Sequence, residues 1–133
     1  MSNIIATIKD IKSCDSLNIV QFSYHSDILS MMSLELSEHI KIGTKVKLTI
    51  KSTHISIAKD LKGSISFENK LSTKITNIEN GELLSSITLE YFDTFLEVIV
   101  TKETIKNMDL KVNDDIIAFV QMSELSISEI IDD

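Results

Sequence analysis

Thr7-Ile8-Lys9-Asp10-Ile11 and Lys74-Ile75-Thr76-Asn77-Ile78 are two versions of one stretch, and their kinship decides how the whole chain is read. Ile8 and Ile11 recur as Ile75 and Ile78, 67 positions later. At the same offset Val20 recurs as Ile87, Phe22 as Leu89 and Leu29 as Leu96. Farther on the offset becomes 70: Ile40-Lys41-Ile42-Gly43 recurs as Leu110-Lys111-Val112-Asn113, and Ile55-Ser56-Ile57 as Leu125-Ser126-Ile127. Val46, Leu48 and Ile50 likewise recur as Ile116, Ala118 and Val120. One three-residue length difference accounts for both offsets; it falls between Leu34 and Ile40, where the first copy is shorter. Self-similarity of this kind marks a duplicated structural unit. The chain is two copies of one small unit, joined head to tail.

Each copy alternates apolar and polar residues with period two, the pattern of half-buried strands. The first copy predicts strands near 3–13, 17–24, 28–33, 45–52 and 54–58; the second near 70–79, 83–91, 95–101, 115–122 and 124–128. Without proline and with only Gly43, Gly63 and Gly81, turns fall to Asn, Asp and Ser. Asn80-Gly81 is a hairpin signal because both residues tolerate positive φ. His25-Ser26-Asp27 and Phe92-Asp93-Thr94 separate alternating runs. Thr101-Lys102-Glu103-Thr104 starts a helical turn with Thr101 as cap, followed by Ile105 and Met108 at helical spacing; Glu35 to His39 is the shorter counterpart. Five short strands with a short helix after the third predict an all-β chain of two tandem OB-like five-stranded barrels. The units are expected over residues 1–60 and 66–133, joined by a linker at 61–65 too short to keep them apart.

Composition excludes several functions. The net charge is −7 and there is no Arg, whereas nucleic-acid binding needs clustered cations for phosphate contacts. Cys14 is the single cysteine, which suits a reducing compartment. Met1-Ser2-Asn3-Ile4 lacks the basic and apolar regions of a signal peptide, and no apolar run approaches the roughly 20 residues of a membrane span. A cytoplasmic protein without membrane attachment is expected. His25, His39 and His54 have no metal-ligand spacing with each other or with Cys14. Met31-Met32 reads as strand core. No local motif supplies a catalytic nucleophile with its base, nor a glycine-rich phosphate loop, so no enzyme is expected.

Four motifs of the second copy, in order, resemble the molybdate-binding Mop, or TOBE, domain. Ser66-Phe67-Glu68-Asn69-Lys70-Leu71 resembles its Ser-Ala-Arg-Asn-Gln-Leu opening, and Val100-Thr101-Lys102-Glu103-Thr104 its Ile-Thr-Lys-Glu-Ser turn. Leu110-Lys111-Val112-Asn113-Asp114 is similar to Leu-Lys-Val-Gly-Asp, and Gln121-Met122-Ser123-Glu124-Leu125 to Lys-Ala-Ser-Asn-Val. In the first copy Lys41-Ile42-Gly43-Thr44 and Ile50 to Ile55 fall in the matching places. The resemblance implies the tandem form of the family: cytoplasmic binding of molybdate or tungstate for storage, homeostasis or sensing, in a homo-oligomer, with a trimer favoured. It also leaves an alternative, a regulatory or protein-interaction module without oxyanion chemistry.

The residue types suit a tetrahedral dianion, which needs converging hydroxyl, ammonium and backbone N–H donors. Carried over position by position, the resemblance implies Ser66, Asn69, Thr101, Lys102, Thr104 and Ser123 in the second copy, and Lys51, Ser52 and Thr53 in the first, with Ser33 or Ser37 as a weaker counterpart of the turn. Lys51-Ser52-Thr53 meeting the Ser66–Asn69 opening of another unit would make a composite site. Three positions depart from the pattern: Glu68 replaces Arg, Gln121 replaces Lys and Glu124 replaces Asn, each less attractive to an anion. His54 follows the Lys51-Ser52-Thr53 segment and can donate to an anion when protonated. Ile116 to Val120 is apolar on both faces, so Ile117 and Phe119 are expected to be covered by the first copy or by another subunit.

Overall fold

The structure is a computed structural model that describes residues 1–131. The first repeat contains β1 (Ser2–Cys14), β2 (Leu17–Tyr24), β3 (Asp27–Ser33), β4 (Lys45–Ile50) and β5 (Ser56–Ala58). The second contains β6 (Asn69–Asn80), β7 (Leu84–Tyr91), β8 (Thr94–Thr101), α1 (Lys102–Asn107), β9 (Asp115–Val120) and β10 (Ser126–Ile131). The described residues are all-β apart from α1 and two single 3-10 turns, Ser52–His54 and Met122–Glu124. The fourth strands end at Ile50 and Val120, and these turns replace the last residues expected of them.

Two five-stranded antiparallel sheets result, in the orders β10-β4-β1-β2-β3 and β5-β9-β6-β7-β8. The fifth strands are exchanged. β5 of the first repeat pairs with β9 of the second, Ile57 opposite Ala118, and β10 pairs with β4, Ile127 opposite Leu48. The hydrogen-bonded sheets therefore cross the boundary between the repeats in the sequence. Inward residues from both repeats, among them Ile8, Phe22, Leu48, Ile75, Leu89 and Ala118, form one buried cluster. Each large aliphatic side chain so buried contributes roughly 1.5–3 kcal/mol.

The repeat decides local geometry down to irregularities. β1 is bulged between Ile8 and Asp10, and β6 between Ile75 and Asn77, at equivalent positions. The turn before each fourth strand docks on this bulge: the Gly43 N–H donates to the Ile8 carbonyl and the Asn113 N–H to the Ile75 carbonyl, both at 2.8 Å. Gly43 has φ 93° and Asn113 φ 80°, so this place takes Gly or Asn. The Leu-Lys-Val-Gly-Asp-like motif is thus a folding signal.

Two local expectations change. The first repeat has no helix after its third strand: residues 34–39 are bends and turns. With three residues fewer, Ser33 Oγ donates to the Glu35 carbonyl and the Ser37 carbonyl accepts from the Ile40 N–H at 3.0 Å, closing a loop instead of a helix. Asn80-Gly81 does not form a two-residue turn with positive φ; neither residue has one, and β7 starts only at Leu84. Gly81 is needed for a close approach, because a Cβ there would lie 2.5 Å from the Leu84 carbonyl oxygen.

Phe119 is buried, and the Phe67 ring packs on it in a tilted arrangement with centroids 5.1 Å apart. Within the chain its cover comes from the opening segment of its own repeat. Ile117 stays half-buried, with Ala58 of the exchanged strand β5 as its ladder neighbour.

Candidate functional site

The two repeats face each other about an approximate two-fold axis, which equivalent residues in mutual contact locate. At one end Tyr24 and Tyr91 have ring centroids 5.2 Å apart. The Tyr24 hydroxyl donates to Asp93 Oδ1 at 2.7 Å, and the Tyr91 hydroxyl donates to Asp27. Burial, then the acceptor carboxylate, pushes both phenols well above the usual tyrosine range, while Tyr24 and His25 hold Asp93 below the usual carboxylate range. His25 and Phe92 take positive φ in the flanking turns and stack at 4.7 Å. At the other end His54 Nδ1 meets Glu124 Oε2 at 2.7 Å, and these too are equivalent residues, one in each 3-10 turn.

The sequence-derived oxyanion candidates fall in three separate groups, two of them at or beside the 3-10 turns of the second end. Lys51, Ser52 and Thr53 run into the first 3-10 turn, which packs on β8. Lys51 and Thr53 are exposed, but Ser52 Oγ donates to Glu97 Oε1 at 2.9 Å. Ser86 Oγ donates to the other Glu97 oxygen at 3.1 Å, and the chain's N-terminal ammonium lies 3.9 Å away. The Ser52 and Ser86 hydroxyls hold the Glu97 carboxyl below its usual range. A carboxylate of the protein thus engages donors of the kind an oxyanion would use.

The second group has no such occupant. Ser66 and Ser123 line one cleft of about 230 Å³ with Met32, Phe67, Glu68, Gln121 and Met122. At the position equivalent to Glu97 stands Ser30, which carries no charge. Asn69 belongs to the same opening motif, but its amide is committed. Its Oδ1 accepts from the Ser30 N–H at 2.7 Å, and its Nδ2 donates to the Ser30 carbonyl at 2.9 Å and the Val120 carbonyl at 3.1 Å. Asn69 occupies the place equivalent to Ser2, whose Oγ accepts from the Glu97 N–H at 2.8 Å. Each repeat therefore opens with a polar side chain that satisfies the outer edge of the other repeat's third strand.

The third group sits at the start of α1. Thr101 Oγ1 accepts from the Thr104 N–H at 3.1 Å and lies 2.9 Å from Thr104 Oγ1, the helix cap the sequence indicates. The Lys102 N–H donates to the Leu83 carbonyl, while Thr101 and Lys102 line a separate cleft of about 420 Å³ with Leu83, Leu84 and Lys106. In the first repeat Ser33 and Ser37 are used within their own loop. The cleft that holds Ser66 is lined by Ser123 and not by Lys51, Ser52 or Thr53.

Two participants escape sequence reading. Glu97 is 45 residues from Ser52 and carries no motif. The His54–Glu124 contact could have been sought from the 70-residue offset, but only once a two-fold axis between the repeats is assumed. Among the described residues no three His, Cys, Asp or Glu side chains converge as metal ligands, and no helix is long and apolar enough to cross a membrane.

No protein-family model matches the chain, and no curated protein sequence matches it. Among solved structures it is similar to the cytoplasmic molybdate-binding protein ModG, in a crystal form with molybdate bound. The TM-score is 0.88 at 21% sequence identity, over 94% of this chain and 93% of that one. The Mop-type fold that the four motifs imply is thus the fold of this chain.

Proposed function

We propose that the protein binds a tetrahedral oxyanion, molybdate or tungstate, in the cytoplasm, as a store, buffer or sensor. The observation that carries this reading is the match along nearly the whole chain to a structure holding molybdate. The ordered motifs of the second repeat support it independently. The Ser66–Ser123 cleft is the favoured place, because both serines line it and the charge-bearing Glu97 of the other half is replaced by Ser30. Lys102, Thr101 and Thr104 stand apart from it within one chain, and in a homo-oligomer, for which we favour a trimer, they would complete a site from a neighbouring copy. The two repeats, 1–60 and 66–133 joined by 61–65, are proposed as OB-like units that exchange their fifth strands.

The test is calorimetric titration of the full chain with molybdate, tungstate and sulfate. Saturable heat with the first two and none with sulfate is expected. Absence of heat with all three, at protein concentrations suited to micromolar binding, overturns the reading.

One specific observation favours a second reading, an interaction module without oxyanion chemistry. Glu97 takes the Ser52 donor, and Glu68 and Glu124 add negative charge beside the remaining serines. On that reading the hydroxyls serve the fold alone and the titration is silent.

A further inference from the structure

The shorter loop of the first repeat leaves an opening that its counterpart fills. In the second repeat Ile105 of α1 and the C-cap residue Met108 pack on the core, and α1 lies against β8 and β7. In the first repeat the corresponding residues 34–39 place only Leu36 on the core, and Leu34 stays 70% exposed. Beside that loop lies a cleft of about 530 Å³ between β3 and β10, within the size range of ligand and peptide pockets. Its floor is apolar and flexible: Met31, Met32, Leu36, Ile127 and Ile130. Methionine-rich surfaces adapt readily to the side chains of docking helices.

The cleft is also one-signed in charge. Among the described residues, Glu35 and Glu129 are the only ionisable ones lining it, with no Lys or His. Glu129 has Lys47 at 3.6 Å, whereas Glu35 meets no cation among the described residues. An apolar floor beneath carboxylates favours a segment with apolar residues on one face and Lys or Arg on the other. The helix that stands in the corresponding loop of the second repeat shows the same composition, since α1 carries Lys102 and Lys106 against one Glu103 and sets Ile105 on the core. A second copy of this chain is a poorer occupant, because each copy carries a net charge of −7.

From these features we infer that the β3–β10 cleft docks a short basic amphipathic helix of a partner protein, which plugs the first repeat as α1 plugs the second. This cleft adjoins the Ser66–Ser123 cleft, with which it shares Met32 and Ser123, but docking requires no bound oxyanion.

Fluorescence anisotropy of the full chain tests it with a labelled peptide of about 14 residues, long enough for helix formation, bearing Leu, Ile and Met at helical spacing and Lys elsewhere. A scrambled peptide of the same composition separates docking from charge attraction alone. Saturable binding of the amphipathic peptide is expected, at least about tenfold weaker for the scrambled one. Ile130→Glu and Glu35→Lys, both at exposed positions, should each weaken it several-fold while thermal melting shows the fold intact. No binding, or equal binding of the two peptides, overturns the inference. So does a fall in oligomer mass on Ile130→Glu, which would mean that a second copy covers the cleft.

Discussion

Asn69 pairs with Ser30 as one strand pairs with its neighbour: the amide oxygen takes the Ser30 N–H and the amide nitrogen gives to the Ser30 carbonyl. Asn69 is 1% exposed and Ser30 6%, so water cannot replace either bond. A residue that sequence resemblance marks for oxyanion binding thus seals the edge of β3 and ties the repeats together.

Asn69→Ala should therefore destabilise the fold strongly. It strands the Ser30 N–H and two carbonyls in the interior, for a loss of about 2–4 kcal/mol. Chemical denaturation measures this. Ser2→Ala, which loses one bond at the equivalent position, should cost only about 1 kcal/mol.

Gly81→Ala should destabilise by roughly 1–3 kcal/mol through steric overlap with the Leu84 carbonyl rather than through backbone strain. Gly81 has no positive φ, so Asn, which relieves left-handed strain elsewhere, should be no better tolerated than Ala. Thermal melting of the two variants distinguishes the causes.

Glu97→Gln removes the carboxylate that engages Ser52 and Ser86. If the first-repeat segment Lys51-Ser52-Thr53 retains any capacity for molybdate, this variant should strengthen calorimetric binding by about three- to tenfold, as expected when a nearby like charge is removed. An unchanged titration would leave the Ser66–Ser123 cleft as the place to search.

Stability should fall at both ends of the pH range, for opposite reasons. Asp93, Glu97 and Asp114 have lowered carboxyl pKa values, from the hydroxyls of Tyr24 and Ser52 and the Lys111 N–H respectively as first causes. A lowered folded-state value gives stability above the unfolded value of about 4, lost as pH falls through the folded one. Tyr24 and Tyr91 are raised, so stability holds below about pH 10 and declines above it, where the unfolded chain releases protons that the folded one keeps. Melting temperature against pH should show both slopes, and Tyr91→Phe should flatten the alkaline one.

Residue pattern sufficed to place all ten strands to within a few residues, the cap at Thr101 and the equivalence of Gly43 with Asn113. These are local matters: alternation, φ preference and a side chain reaching the backbone three residues on. Which sheet each fifth strand joins was set only in the folded molecule. Ladder hydrogen bonds involve backbone groups that every residue other than proline carries, and β5 and β10 share one pattern, so either edge satisfies the local sequence. The same holds for the polar candidates. Their residue types were legible, but whether a hydroxyl is free or already engaged depends on partners such as Glu97 and Ser30, which the chain brings near only when the two repeats face each other.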